Sequence, residues 1–372
     1  ISIQYDFDAK MKEYFNLTVY EFMAAGIVLW LTTNGILYQD VLVEVKALEP
    51  IVTEENLLKF VELSSGTPGE YRRLVRGDRW KYANKLLDIY GLDPFIKMPI
   101  IKVGYSKTLN NVSYVLPQPF YLLQRTSSGI FYLLATKEKT LGELKGNKAQ
   151  NNFRNGFGLV YQEYVRMHLR LTKKPAIFID LDTDFECKKI DKMPDFAVVY
   201  GSVCVLFEVK THLLAVESRT FFDSEKIRDD IKNGNFKKAI EQLHSFRTRI
   251  LNQDISDARF DGVNRVINII IGYEDIFVAN SVLIKPLYEE YEIWATDLQV
   301  GTISDVEVIG SILAEGIDLG QILREKIDDE ETRTHSIGVY IENLKIVKKV
   351  NPILYDAFNS FMDKMGATSL EN

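Results

Sequence analysis

The run Val203-Cys204-Val205-Leu206-Phe207-Glu208-Val209-Lys210 constrains the fold more than any other part of the chain. A strand with one face in water alternates apolar and polar residues. This one stays apolar on both faces as far as Phe207, so it belongs inside a sheet covered on both sides. Gly201-Ser202 supplies a tight turn before it, and Phe196–Tyr200 is a short strand leading into that turn. Residues 176–181 and 266–271 have the same apolar strand character. Helical spacing lies around them: Leu159, Val160, Val165 and Leu169 within 157–171, then Phe236, Ala239, Ile240, Leu243, Phe246 and Ile250. The order helix, strands, helix, strand predicts an α/β (α+β) fold, a mixed central sheet flanked by helices.

Three regions are expected. Residues 1–145 read as a mainly helical N-terminal domain with short strands, 146–280 as the sheet-containing core, and 281–372 as an acidic helical extension. In the first, helices are expected at 19–31, at 53–63 behind the capping residue Thr53, and at 70–90. Runs rich in Val, Tyr, Phe and Ile from 100 to 136, divided by Asn110-Asn111, Pro117, Pro119 and Ser127-Ser128-Gly129, read as strands. The polar stretch 136–152 is the expected boundary. In the last region helices are expected at 282–291, 308–326 and 352–364, with Asp328-Asp329-Glu330-Glu331 as a solvated acidic loop.

Bulk properties set limits on function. The longest apolar stretch, 22–31, is broken by Gly26 and is too short to cross a bilayer, so no membrane is expected. Cys187 and Cys204 make neither a disulfide framework nor a zinc pattern, which fits a reducing, cytoplasmic setting. The net charge of −7 is uneven: residues 1–150 carry +2, 151–250 carry +3, and 251–372 carry −12. Lys173-Lys174, Lys188-Lys189, Lys192 and Lys237-Lys238 lie near the apolar run, and Arg72, Arg73, Arg76, Arg79 and Lys81 form a second basic run. This distribution permits a nucleic-acid partner without demanding one.

The chemistry sits at the end of the central strand. Alternation puts Glu208 and Lys210 on one face with Cys204 and Leu206, while Val205, Phe207 and Val209 take the other. An acid and an ammonium on such a strand are costly to bury unless paired or metal-bound. Pro194-Asp195 opens the neighbouring strand, so Asp195 can approach Glu208 closely enough to share a hard, oxygen-ligated cation such as Mg2+. A second Glu-Val-Lys, Glu44-Val45-Lys46, has Asp40 on its own strand. That carboxylate is about 13 Å from Glu44 at ~3.3 Å per residue, too far to share a metal, and the copy reads as structural. Asp180-Leu181-Asp182-Thr183-Asp184 lacks the glycine of a calcium loop, Phe185 standing in its place, and reads as turn acids with at most an outer contact to the site. His168, His212, His244 and His335 lack zinc-ligand spacing, although His212 could face the same cleft.

Pro194-Asp195 followed by Glu208-Val209-Lys210 resembles the PD-(D/E)xK nuclease superfamily, with its restriction-endonuclease-like fold. The resemblance covers about 155–272. Glu163 is similar to the acid that many members carry on the preceding helix, and Gln242 to a glutamine that some carry on the following one. The resemblance implies metal-dependent hydrolysis of phosphodiester bonds with Mg2+, which Mn2+ can replace. Asp195, Glu208 and the Val209 carbonyl would hold the metal with help from Glu163. Lys210 would act on the attacking water or the phosphate, and Gln242 would position one of them. DNA, most readily duplex DNA, is the implied substrate, with a homodimer and a recognition or regulatory subunit as expected partners. An RNA-directed nuclease and an inactive, nucleic-acid-binding relative are the alternatives.

Overall fold

The computed structural model describes residues 5–33, 52–79, 94–106, 111–145, 148–184, 193–213, 229, 234–273, 280 and 297–366. It is mixed α/β with two mixed sheets, and its contacts divide it into two units, 1–156 with 362–372, and 157–361. Among the described residues no single helix is long and apolar enough to cross a membrane. The expected Asp40–Lys46 strand and the 282–291 helix lie outside the described residues, as do Lys188, Lys189, Lys192 and Cys187.

The first unit begins with α1 (Phe7–Phe15), α2 (Val19–Thr33) and α3 (Glu54–Leu63), the last started by Thr53, whose hydroxyl accepts from the Asn56 N–H at 3.2 Å. Gly26 of α2 sits where any Cβ would lie 2.1 Å from Thr126 and 2.8 Å from Phe60, so close packing requires glycine there. A three-stranded sheet follows from β1 (Ser65–Gly66), β2 (Ile100–Ser106) and β3 (Asn111–Val115), with α4 (Pro68–Arg79) and α5 (Pro94–Lys97) between β1 and β2.

Beyond β3 the expected strands are helices instead: α6 (Phe120–Thr126) and α7 (Ser128–Lys145). The aromatic composition of 116–136 resembled that of a strand, but its buried residues Leu122, Arg125 and Thr126 fall at i, i+3 and i+4. Pro119 is the cap that begins α6 rather than a turn between strands. The polar stretch expected as a boundary is also helical where it is described, in α7 as far as Lys145 and in α8 (Lys148–Leu169) from Lys148.

The second unit is built on a five-stranded sheet in the order β4 (Ile177–Asp180), β5 (Phe196–Tyr200), β6 (Val203–Lys210), β7 (Arg265–Gly272), β8 (Leu298–Gly301). The first two pairings are antiparallel and the last two parallel. Gly201 makes the β5–β6 turn at φ 55°, a left-handed conformation that glycine adopts without a Cβ penalty. Helix α9 (Asn235–Leu251) lies between the parallel strands β6 and β7 in sequence, as a parallel connection needs. It covers one face of the sheet: Phe236, Ala239, Ile240, Leu243, Phe246 and Ile250 pack on Cys204, Leu206, Val266 and Ile270. The other face, with Val205, Phe207, Ile267 and Ile269, is covered by Tyr161, Val165 and Leu169 of α8 together with later helices. Phe207 alone, fully buried, contributes about 1.5–3 kcal/mol of transfer free energy.

Those later helices are α10 (Ile303–Glu315), α11 (Leu319–Asp328), α12 (Ile337–Leu344) and α13 (Pro352–Lys364). The single helix expected over 308–326 is therefore two. Gly316 ends α10 at φ 74°, and Asp318 starts α11 by accepting from the Gln321 N–H at 2.9 Å. Asp328, expected in a solvated loop, ends α11 and accepts from Arg265 Nη1 and Nη2 at 2.9 and 2.7 Å.

Candidate active site

One step past the Phe196–Phe207 pair of the β5–β6 ladder, Asp195 stands opposite Glu208. The Asp195 N–H donates to the Phe207 carbonyl at 3.1 Å, so the ladder extends to this pair. Cross-strand neighbours share a face, and this face also carries Cys204 and Leu206. Hairpin register alone thus brings the two motif carboxylates together.

Each carboxylate is held differently. Asp195 accepts from the Val209 backbone N–H through Oδ2 and from Gln162 Nε2 through Oδ1, both at 2.6 Å. Glu208 is fully buried, and its Oε1 accepts from Lys210 Nζ. Its Oε2 is buried with no hydrogen-bond partner among the described residues. Lys210 Nζ also donates to Gln242 Oε1 at 3.2 Å, and Gln242 Nε2 donates to the Met193 carbonyl at 2.9 Å. Lys210 is therefore held between β6 and α9. The Asp195, Glu208, Val209, Lys210 and Gln242 groups, separated by up to 47 positions in sequence, form one connected set.

Burial sets the protonation of the pair. It pushes the Asp195 carboxyl up to about 6, opposed by the Val209 N–H and the Lys210 charge. It pushes Glu208 up to about 8; the nearby Asp195 charge raises it further, and Lys210 opposes. The Lys210 charge offsets the cost of charging both carboxylates only in part, so a further cation beside them would lower it. A divalent ion is such a cation, and the oxygen-only donor set suits Mg2+ or Mn2+. Glu208 Oε2, which has no partner among the described residues, is an oxygen open to a metal ion. Among the described residues no group of three or more His, Cys, Asp or Glu side chains is arranged to hold a metal. Two protein carboxylates are what Mg2+ often takes, with water and phosphate completing its shell.

Glu163 is engaged on its own helix. Its carboxylate accepts from Arg166, whose Nε donates to the buried Asp180 Oδ2 at 2.7 Å. The α8 side chain that reaches Asp195 is Gln162, one position earlier, and its Nε2 also donates to Asp182 Oδ2 at 3.1 Å. The signal was present in the stripe Tyr161, Val165 and Leu169, which is buried and fixes the rotation of the helix. Successive residues differ by about 100° around a helix, so adjacent polar residues meet different neighbours. Tyr161 completes the anchoring by donating to the Gly272 carbonyl at 2.7 Å. Of the four histidines, His168 is fully buried on α8 against Asn351, far in role from any ligand set, and the His212 carbonyl accepts from Asn235. Burial pulls His168 down to about 4, so it is neutral.

Set beside known proteins, the chain matches no protein-family model, no curated protein and no solved structure.

Proposed function

We propose that the protein is a divalent-metal-dependent phosphodiester hydrolase of the restriction-endonuclease-like class, acting on DNA. The observation that carries this reading is the Asp195–Glu208 pair, opposed across a buried hairpin, with Lys210 on Glu208 and one Glu208 oxygen unpartnered among the described residues. Asp195 and Glu208 would hold Mg2+, with the Val209 carbonyl as a further oxygen donor. The ion supplies charge neutralisation at the scissile phosphate and a more acidic water.

The chain's own groups do the rest. Lys210 lies at the same end of the sheet, where its ammonium would orient the attacking water and stabilise charge on the phosphate. Gln242 limits the positions open to Lys210, because its carbonyl accepts from the ammonium while its amide is tied to Met193. The Val209 N–H fixes one Asp195 oxygen. Glu163, engaged with Arg166, takes no part in this account. A homodimer would suit cutting of both strands of a duplex. The first unit is the place for recognition of sequence or of a regulatory subunit.

The test is cleavage of duplex and single-stranded DNA, with RNA in parallel, in Mg2+ and in Mn2+. Asp195→Ala and Lys210→Ala should each reduce cleavage by at least about 10^2–10^3-fold, as loss of a charge-stabilising group does. Cleavage undiminished in both variants would sink the assignment. Cleavage of RNA alone would move the substrate, and nucleic-acid binding without Mn2+ uptake would indicate the inactive relative.

A further inference from the structure

We propose that Gln162 is a positioning residue whose side-chain amide holds the Asp195 carboxylate in the orientation that meets Glu208. The inference rests on the reading of Asp195 and Glu208 as the metal-holding pair. Gln162 Nε2 lies 2.6 Å from Asp195 Oδ1 and 3.1 Å from Asp182 Oδ2. Only an NH2 group can sit against two carboxylate oxygens, since a carbonyl there would face two acceptors, so the amide orientation follows from its partners. Both amide hydrogens are then used, one on each acid. Asp182, on the turn after β4, keeps the amide from rotating away, and the amide in turn fixes the Asp195 oxygen that Val209 does not hold. Asp195 is thereby held from both sides, by the backbone of β6 and by helix α8.

The same geometry explains the residue type. Glutamate at 162 would place a third negative charge between Asp195 and Asp182, whereas glutamate at 163 is accommodated because Arg166 receives it. Arg166 is itself tied to the buried Asp180, two residues before Asp182. Helix α8 thus meets the end of β4 and its turn through two polar contacts in succession, and Gln162 is the one that continues to the site. Groups that orient metal-holding side chains are worth about 10- to 100-fold in metal affinity.

The experiment measures Mn2+ affinity by calorimetry on the full chain, alongside the thermal midpoint and a crystal structure. Gln162→Met keeps the length of the side chain and removes its donor. If Gln162 positions Asp195, Gln162→Met binds Mn2+ at least about tenfold more weakly than the wild type, with its thermal midpoint unchanged. Equal Mn2+ affinity in wild type and Gln162→Met would overturn the proposal. If the wild type takes up no Mn2+, the hydrolase reading fails by itself, and the crystal structures then decide the role of Gln162. An Asp195 carboxylate that rotates in Gln162→Met supports positioning, and one that keeps its place overturns it.

Discussion

Two fully buried ionisable side chains in the second unit, Glu208 and Lys326, are treated in opposite ways. Lys326, on α11, donates to Gln299 Oε1 of β8 at 2.6 Å and to the Arg333 carbonyl at 2.9 Å. Its ammonium ties a helix to the last strand and to the turn that follows the helix. Glu208 has one oxygen on Lys210 and one with no partner among the described residues. A buried charge whose bonds are made inside the fold serves the fold. On the reading proposed above, an acid with one oxygen unpartnered among the described residues, set opposite a second acid, would serve a group that comes from outside.

Substitution at the two positions should separate these roles, and it carries the largest expected effect. Glu208→Gln should remove cleavage by at least about 10^2–10^3-fold while leaving the fold intact. Lys326→Met should leave cleavage in place but cost about 2 kcal/mol or more, because it strands the Gln299 and Arg333 acceptors in the interior. Cleavage assays and denaturant unfolding on both variants read the contrast. A Glu208→Gln protein that cleaves normally, or a Lys326→Met protein as stable as the wild type, would break it.

The two groups also predict opposite pH slopes for stability without divalent metal. Burial raises the Glu208 carboxyl from 4.5 to about 8, so the native state binds its proton more tightly than the unfolded chain. That contribution is fully present below about 4.5 and is lost as pH rises towards 8. Asp195, raised from 3.8 to about 6, adds the same sign between those values. Burial lowers Lys326 from 10.5 to about 8, so the unfolded chain binds its proton more tightly, and stability rises with pH from about 8 upward. The expected profile falls from pH 5 to 8 and turns upward above 8. Glu208→Gln should flatten the fall and Lys326→Met the rise, each measured as thermal midpoint against pH. Saturating Mn2+ should also flatten the fall, since the ion replaces the protons.

Much of this unit was legible in the sequence because its signals are local. The apolar run 203–210, the Gly201-Ser202 turn and the short Phe196–Tyr200 strand determine hairpin register, and register alone places Asp195 opposite Glu208. Two contacts that complete the site were less accessible. Gln242 reaches Lys210 only because α9 crosses the sheet at that height, and Gln162 rather than Glu163 meets Asp195 because of how α8 is rotated. Both depend on packing between elements distant in sequence. In the first unit, the composition of 116–136 pointed to strands, and the spacing of Leu122, Arg125 and Thr126 prevailed. Composition is a weaker guide than period where aromatic residues cover a helix.

The smallest effect tests the same rule within one network. Arg166 is bonded to Asp180, which is fully buried, and to Glu163, whose side chain is 44% exposed. If burial decides what a charge is worth, the two acids on this one guanidinium differ sharply. Asp180→Asn leaves Arg166 with Glu163 as its one charged partner among these two and should cost about 1.5–3 kcal/mol. Glu163→Gln removes a partner that water can replace and should cost at most about 1 kcal/mol. Equal losses in denaturant unfolding would mean that Glu163 is held as tightly as Asp180. Its place outside the proposed site would then need another explanation than its bond to Arg166.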